Sequence, residues 1–392
     1  MVPAALQHSS SPVLEFDHFR EVLAGYVWSP LGKGRISRLA PSSNREWIGR
    51  QQQLAAETRR FLAGGGSFDF SGLFDAGTLL AKARIRDAAL EITQIRDILL
   101  LVDKAAEWRE IAVHPPDSVK AEWAGMSGLS LEIADFTELL RWFRNKILPD
   151  GTLDDRASPE LARVRREVEK QKRQIQESLR GYLRRLAEGG AVQDELVTIR
   201  GERFVIPVKT EQRKRVNGVV HGASSSGQTV FIEPLETIEQ NNDLVRLLEE
   251  EQAEVRRILR EMTARIGEQA EAMAAATVAM AEIELQFGKA RFAQDYDCVR
   301  PELTEDFFEL RAARHPLLER NLRSKGGKAV PLTAELDSGH RQLIISGPNT
   351  GGKTVGLKTI GLLALMAQAG IPVPAITARL PVFDAVLADI GD

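Results

Sequence analysis

The residues with the clearest chemical spacing lie near the end of the chain. Gly347-Pro348-Asn349-Thr350-Gly351-Gly352-Lys353-Thr354 fits the pattern G-x-x-x-x-G-K-[ST]. Its glycines let the backbone turn so that N–H groups face phosphate oxygens, which then sit at the positive end of the following helix. In such a loop the Lys353 ammonium reaches the β- and γ-phosphates and the Thr354 hydroxyl ligates magnesium. The run Arg-Gln-Leu-Ile-Ile-Ser over 341–346 reads as a β-strand, and 355–366 reads as an amphipathic helix. Strand, loop and helix stand in the order that the motif requires. All eight loop residues are candidate ATP ligands, and Thr354 is the candidate magnesium ligand. The competing reading of the same residues is a glycine-rich turn that holds nothing.

Hydrolysis also needs a second acidic motif at a strand end, with one carboxylate for magnesium and usually a Glu to orient water. The segment Phe383-Asp384-Ala385-Val386-Leu387-Ala388-Asp389 has the right hydropathy. Asp389, however, lies only 36 residues past Lys353, and Ile390-Gly391 follow where a Glu would be useful. The hydrolytic residues therefore stay unknown. A nucleotide domain starting near residue 300 spans only about 90 residues here. The sequence reads as cut within that domain, and little or no hydrolysis is expected from these residues alone. On that basis the alternative to an ATPase is a nucleotide-binding scaffold fragment.

The elements that must position this loop read as an α-rich, multidomain chain. Residues 1–150 form a helical core, in which Leu14, Phe16, Phe19, Val22, Leu23, Tyr26 and Val27 recur at three-to-four spacing and 79–101 and 129–142 repeat the amphipathic pattern. At 151–195 comes a first arm helix. Ser158-Pro159-Glu160 is its start signal, with a hydroxyl for the N-cap, Pro at the first position and a carboxylate at the positive dipole end. Its seam runs Leu161, Val164, Val168, Ile175, Leu179, Tyr182, Leu186. A β-rich module follows at 196–235, where apolar runs with period two alternate with turn residues. Residues 236–299 form a second arm helix, over about 236–266, and the return to the core, with the expected seam Val245, Leu248, Val255, Leu259, Met262, Ile266 and polar registers at Asn241 and Gln252. Residues 300–392 begin the α/β nucleotide domain.

Charge supports pairing of the two arm helices. Residues 160–188 carry nine basic and five acidic side chains, whereas 236–262 carry four basic and eight acidic. A chain that turns back must run antiparallel, so a long antiparallel coiled coil with a β clamp at its tip is expected. Two solvated helices that pack elsewhere are the alternative. Within the β module, residues 200–215 carry Arg200, Arg203, Lys209, Arg213, Lys214 and Arg215 against only Glu202 and Glu211. Lys209, Arg213, Lys214 and Arg215 are candidate contacts to a nucleic-acid backbone, where affinity grows with each phosphate neutralised. A solvated basic loop fits the same charges.

Composition limits the remaining classes. The chain has 392 residues with 52 Lys plus Arg against 55 Asp plus Glu, a net charge of −3. This excludes a polybasic-tail protein but not local basic surfaces. The single cysteine, Cys298, excludes an internal disulfide framework and a four-cysteine zinc site, and it fits a reducing, cytoplasmic setting. The apolar stretch 361–367 is too short to span a bilayer, and the N-terminal residues lack the pattern of a signal peptide. No membrane partner is expected.

The loop, together with Arg314-His315-Pro316-Leu317-Leu318 before it and Met-Ala-Gln-Ala-Gly-Ile-Pro-Val-Pro-Ala at 366–375 after it, resembles the MutS family of ATPases. The block His-Gly-Ala-Ser-Ser-Ser-Gly-Gln-Thr-Val-Phe-Ile-Glu-Pro at 221–234, then Asn241-Asn242, is similar to the MutS-two branch. Leu-Glu-Phe-Asp at 14–17 and Ser-Pro-Leu-Gly-Lys at 29–33 match the same branch. The resemblance covers nearly the whole chain. It implies a helical core, lever helices with a clamp, and an ABC-type ATPase that dimerises around two ATPs. It also implies that Gly347 to Thr354 bind ATP and magnesium, and that the segment of His315 borders the nucleotide. By its own chemistry His315 reads as a packing or capping histidine. Family members are associated with branched DNA and suppression of homologous recombination, and with collided ribosomes and their splitting, so the implied partners are DNA, ribosomal RNA and a second copy of the chain. The family's nuclease-like Smr domain would lie beyond residue 392, and no nuclease role falls on these residues. An SMC-type or Rad50-like ATPase also joins a P-loop to a coiled coil, but there the loop precedes the coil, whereas here Gly347 follows it.

Overall fold

The computed structural model describes residues 6, 8–188, 197–346 and 352–390. It is α-rich, with small sheets set among long helices. The chain divides into two compact units, one made of 1–81, 97–140 and 269–392, the other of 82–96 and 141–268.

The smaller unit is built on two long helices, Pro159–Glu188 and Ile238–Glu268. The first starts where its signal predicts, with the Leu161 N–H donating to the Ser158 hydroxyl at 3.0 Å. The pair is antiparallel. Contacts from Ser158 to Glu254, Arg165 to Glu251, Gln171 to the Gln240 carbonyl and Arg185 to Glu236 climb one helix while descending the other. The opposite charges meet in the ion pairs Arg165–Glu251 at 2.8 Å and Arg185–Glu236 at 2.6 Å. Solvent reaches both, and the more exposed Arg185 pair contributes at most about 1 kcal/mol. Apolar burial therefore carries the stability, and charge favours this partner and direction.

Over 244–259 the seam of the acidic helix is shifted by one position from the expected one, whereas Asn241, Met262 and Ile266 are buried as expected. Asn241, Leu244, Leu247, Glu254, Ile258, Met262 and Ile266 are buried, while Val245, Leu248, Val255 and Leu259 are half-buried and Gln252 is exposed. On the basic helix the last fully buried position is Leu183, with Tyr182 and Leu186 only partly covered. Polar anchors set this phase. The Ser158 hydroxyl donates to Glu254 at 2.6 Å, which turns that carboxylate inward. At the other end the fully buried Asn241 amide makes two bonds to one backbone residue. Its Oδ1 accepts from the Phe204 N–H at 2.9 Å, and its Nδ2 donates to the Phe204 carbonyl at 3.0 Å.

Phe204 belongs to a four-stranded antiparallel sheet in the order Thr198–Arg200, Arg203–Lys209, Thr229–Pro234, Gly218–Ala223. Phe204, Ile206, Val208, Val230 and Ile232 share one core with Ile175, Leu179 and Leu183 of the basic helix and Leu244 and Leu247 of the acidic one. Arg203 donates to the buried Glu233 at 2.7 Å and to the Asn242 side chain at 2.6 Å, and His221 lies 2.7 Å from the same Glu233. The sheet thus has a polar as well as an apolar attachment to the helix pair.

In the larger unit the helix Phe16–Ala24 buries Phe16, Phe19, Val22 and Leu23, as its spacing predicts. The pattern over 79–101 is interrupted where the chain passes through the smaller unit at 82–96: helix Gly77–Ala83 ends, a turn follows in which Asp87 adopts φ 60°, and helix Ile92–Val113 begins. An aromatic cluster of Phe61, Phe68, Phe70, Trp108, Trp123 and Phe287 is packed mostly edge to face. Such contacts add to the area that the rings bury. A second core gathers Phe19, Phe292 and Tyr296 with Leu362, Leu363, Leu365 and Met366. Beside it lies a sheet in the order Glu302–Thr304, Thr377–Pro381, Phe308–Ala313, Leu332–Leu336, whose first pair is parallel and whose others are antiparallel.

The helix Ala270–Asp295 is apolar around its whole circumference yet carries Glu282, Glu284, Gln286 and Lys289 inside. Glu284 accepts from the Trp28 and Ser29 N–H groups at 2.9 and 2.8 Å and from the Ser29 hydroxyl, which in turn caps the helix Pro30–Ser37. Lys289 Nζ donates to Gln51 Oε1 at 2.7 Å and to the Ala369 carbonyl at 3.3 Å. Burial pushes the Lys289 ammonium down to about 7, against the pull of Glu282. Desolvation pushes Glu282 up, but Arg35, 2.7 Å away, and Lys289 outweigh it and hold the carboxyl below its usual range.

The expected strand at 341–346 is not formed. Those residues have no regular secondary structure, and Leu343 and Ile344 are 44% and 88% exposed. A strand exists only as part of a ladder, and no described strand pairs with this segment. Its apolar composition suits a buried strand but cannot make one without neighbours.

Two outcomes follow from this packing. Unfolded, Lys289 would titrate near about 10.4. Between about 7 and that value the unfolded chain binds more protons, so this group makes stability rise with pH, by at most about 1.4 kcal/mol per pH unit. Lys289→Met should flatten the rise in urea midpoint between about pH 7 and about pH 8.5. An unchanged rise would mean that Lys289 stays protonated when buried. Asn241→Leu strands two backbone groups of Phe204 and should lower the unfolding free energy of residues 141–268 by about 1–3 kcal/mol. Urea unfolding followed by hydrogen exchange reads this, and a neutral result would refute the anchoring role.

Candidate functional site

Of the eight loop residues, Gly352, Lys353 and Thr354 are described, and Gly347, Pro348, Asn349, Thr350 and Gly351 lie outside the described residues. Gly352 is the N-cap of the helix Lys353–Gln368 with φ 85° and ψ 10°, a left-handed conformation suited to glycine. A Cβ at this position would meet nothing within 4 Å, so the requirement is conformational rather than steric. The Gly352 carbonyl accepts from the Gly356 N–H at 2.9 Å and closes the first turn.

The start of this helix has an unusual electrostatic character. No side chain caps it and its first turn has no acidic residue. Instead Lys353 opens the helix, which adds a cation to the positive dipole end. Both features cost stability in an isolated helix, and both favour an anion placed there. Thr354 is exposed and Lys353 half-buried.

The opposite end of the helix is firmly attached. The Gln52 side chain donates to the Ala367 carbonyl at 3.3 Å and Lys289 donates to that of Ala369. The Gln368 amide donates to the Ser42 and Phe383 carbonyls, both at 2.9 Å, and accepts from the Phe383 N–H at 3.2 Å. Leu362, Leu363, Leu365 and Met366 are fully buried. The helix therefore has one end fixed by its surroundings and one that starts without a side-chain cap.

His315 is the N-cap of the helix Pro316–Arg323, and its Nδ1 accepts from the Leu318 N–H at 3.4 Å. This is the capping role its own chemistry suggests. It is 5% exposed, and burial pushes its imidazole below the usual range. Asp389 is exposed, and residues 391–392 lie outside the described residues.

The basic residues of the β module separate into two sets. Arg200 stacks over the Phe231 ring at 4.3 Å, and Arg203 is tied to Glu233, so both serve the sheet. Lys209, Arg213, Lys214 and Arg215 are all exposed on and beside the 3-10 segment Thr210–Arg215, in which no residue is buried. That segment is held at its base by Val216, which is in the core, and by Thr210, whose N–H and hydroxyl donate to Gln228 and Gly227 at 3.0 and 2.6 Å. Charge counting alone cannot separate these sets, because stacking and ion pairing are tertiary.

Comparison with known proteins gives a consistent picture. Residues 343–392 match the family described as MutS domain V. The protein named Endonuclease MutS2 of Thermomicrobium roseum is 38% identical over 97% of this chain and 48% of its own length. Its namesakes in Pelotomaculum thermopropionicum and Aquifex aeolicus are 37% and 36% identical over 97% of this chain, and 47% and 48% of their own lengths are covered. The chain spans about half the length of the curated relatives it matches.

Proposed function

This chain belongs to the MutS family, and we propose that it is the ATP-binding and lever portion of a clamp that grips nucleic acid. The observation that carries the reading is the uncapped, cation-bearing start of the helix Lys353–Gln368, which lies inside the match to MutS domain V. Magnesium-bound ATP suits this position. The N–H groups of Gly352 to Val355 would take phosphate oxygens, Lys353 would neutralise the terminal phosphates, and Thr354 would hold the metal ion. Gly347 to Gly351 would complete the cradle. Hydrolysis in the whole protein requires an acidic residue that none of the described residues is assigned to supply.

The second part of the proposal concerns the antiparallel helix pair, read as a coiled-coil lever that carries the β module as a clamp. Lys209, Arg213, Lys214 and Arg215 would contact a phosphate backbone. Their exposure on an anchored segment supports this, since an anchored cation loses less freedom on binding. A homodimer closing two such arms around branched DNA or a stalled ribosome would use ATP binding to set its geometry and hydrolysis to reset it.

Two measurements test the parts separately. Lys353→Ala should reduce ATP affinity by at least about tenfold, since about 1.4 kcal/mol or more of charge-assisted contact is lost. Normal affinity in that variant would remove the loop assignment. Charge reversal of Arg213, Lys214 and Arg215 should weaken binding to four-way-junction DNA and to stalled disomes, and lower the slope of log K against log salt by about 0.9 per lost duplex phosphate contact. An unchanged slope on both targets would make the segment a solvated surface. A change on only one would identify the target.

A further inference from the structure

The first turns of the Lys353–Gln368 helix are held from the side by the N-terminal segment. His8–Ser9 pairs in parallel with Ala385–Val386, and Ser10 exchanges hydrogen bonds with Ala388, accepting from its N–H at 2.9 Å and donating to its carbonyl at 3.3 Å. The chain then winds through a turn in which the Leu14, Glu15 and Phe16 N–H groups donate to Ser10, Pro12 and Ser11 carbonyls. Leu14 drops into the notch left by Gly361 of the helix, where a Cβ would come within 2.5 Å of Leu14 Cδ2.

The next residue has an unfavourable backbone. Glu15 adopts φ 61° and ψ 26°, a left-handed conformation that an L residue with a long side chain avoids. Its carboxylate reaches two groups. Oε1 is 3.4 Å from Lys358 Nζ, and Oε2 is 3.8 Å from His315 Nε2. His315 uses Nδ1 as an acceptor, so its neutral ring carries the proton on Nε2, which is buried and has no hydrogen-bond partner. Lys358 lies four residues after Thr354, on the same helix face one turn further along. A strained residue, a buried unpartnered nitrogen and an ion pair thus meet beside the first turn of the helix. Strain concentrated in this way is a reason to look for a role.

We propose that Glu15 is a positioning residue for the phosphate-binding turn: through Lys358, and braced by Leu14 against Gly361, it sets the attitude of the helix start that presents Lys353 and Thr354. The inference rests on the nucleotide reading of that turn. It also explains why a glutamate occupies a backbone position suited to glycine. The carboxylate balances the Lys358 charge, and tightening of the segment would bring it within reach of the His315 N–H.

The sign of one measurement separates positioning from a simple charge effect. Removing a negative charge near the helix start raises the local positive potential, and on electrostatics alone Glu15→Gln would bind MgATP more tightly. If Glu15 positions the turn, Glu15→Gln should instead weaken MgATP binding by about three- to tenfold. Glu15→Gly, which relieves the backbone, should weaken it similarly while leaving the thermal midpoint unchanged or higher. Adding Glu15→Gln to Lys358→Gln should have little further effect. Tighter or unchanged MgATP binding in Glu15→Gln, with affinity still lost in Lys353→Ala, would overturn the proposal and leave the nucleotide reading intact. If the wild-type protein binds no ATP, the nucleotide reading falls. Amide exchange in the ligand-free protein then decides the positioning claim: faster exchange over 356–361 in Glu15→Gln supports it, and unchanged exchange overturns it.

Discussion

The hydrogen bonds at the carbonyl end of the helix Lys353–Gln368 organise the larger unit. Gln52 and Lys289 reach its last carbonyls, and the Gln368 amide binds Ser42 and Phe383 together. These residues come from distant parts of the sequence, so one helix terminus ties the N-terminal helices, Ala270–Asp295 and the strand region after 377 into one body. A helix fixed at one end can hold its other end open without fraying from the core. That constraint allows a start that has no side-chain cap and opens on a lysine to persist, which local propensity alone would disfavour.

The same principle operates on a smaller scale in the β module. Asn241 replaces a strand partner for Phe204 with two side-chain bonds, and Glu233 is held by Arg203 and His221. Buried polar groups contribute here mainly by selecting one arrangement, since each would be costly if left unpaired. The exposed basic segment Thr210–Arg215 has no buried residue, so its orientation depends on that selection.

Element types and order were legible in the sequence, because period-two runs between two long heptad-like helices admit few other readings. The Ser158 start was legible because capping is local. The phase of the acidic seam was not. Leu244-Val245, Leu247-Leu248 and Ile258-Leu259 are adjacent apolar pairs, so neighbouring phases fit the pattern equally well, and tertiary bonds at Asn241 and Glu254 choose between them. The strand expected at 341–346 failed for a related reason, since apolar β-branched residues indicate what a segment can pair with and not that partners are present. Lys289 and Glu282 gave only a weak signal, charged residues within an otherwise apolar helix. Their partners Gln51 and Arg35 lie more than two hundred residues away in sequence.

Family membership, the loop motif and the electrostatics of one helix terminus support the proposed account, in which phosphates would bind at Gly352 to Val355. Hydrogen exchange at the backbone amides of 352–356, with and without MgATP, tests it most directly. The account predicts strong slowing there, because those N–H groups would donate to phosphate oxygens and the turn would be held. Unchanged exchange at these amides under saturating MgATP, with protection appearing elsewhere, would contradict it.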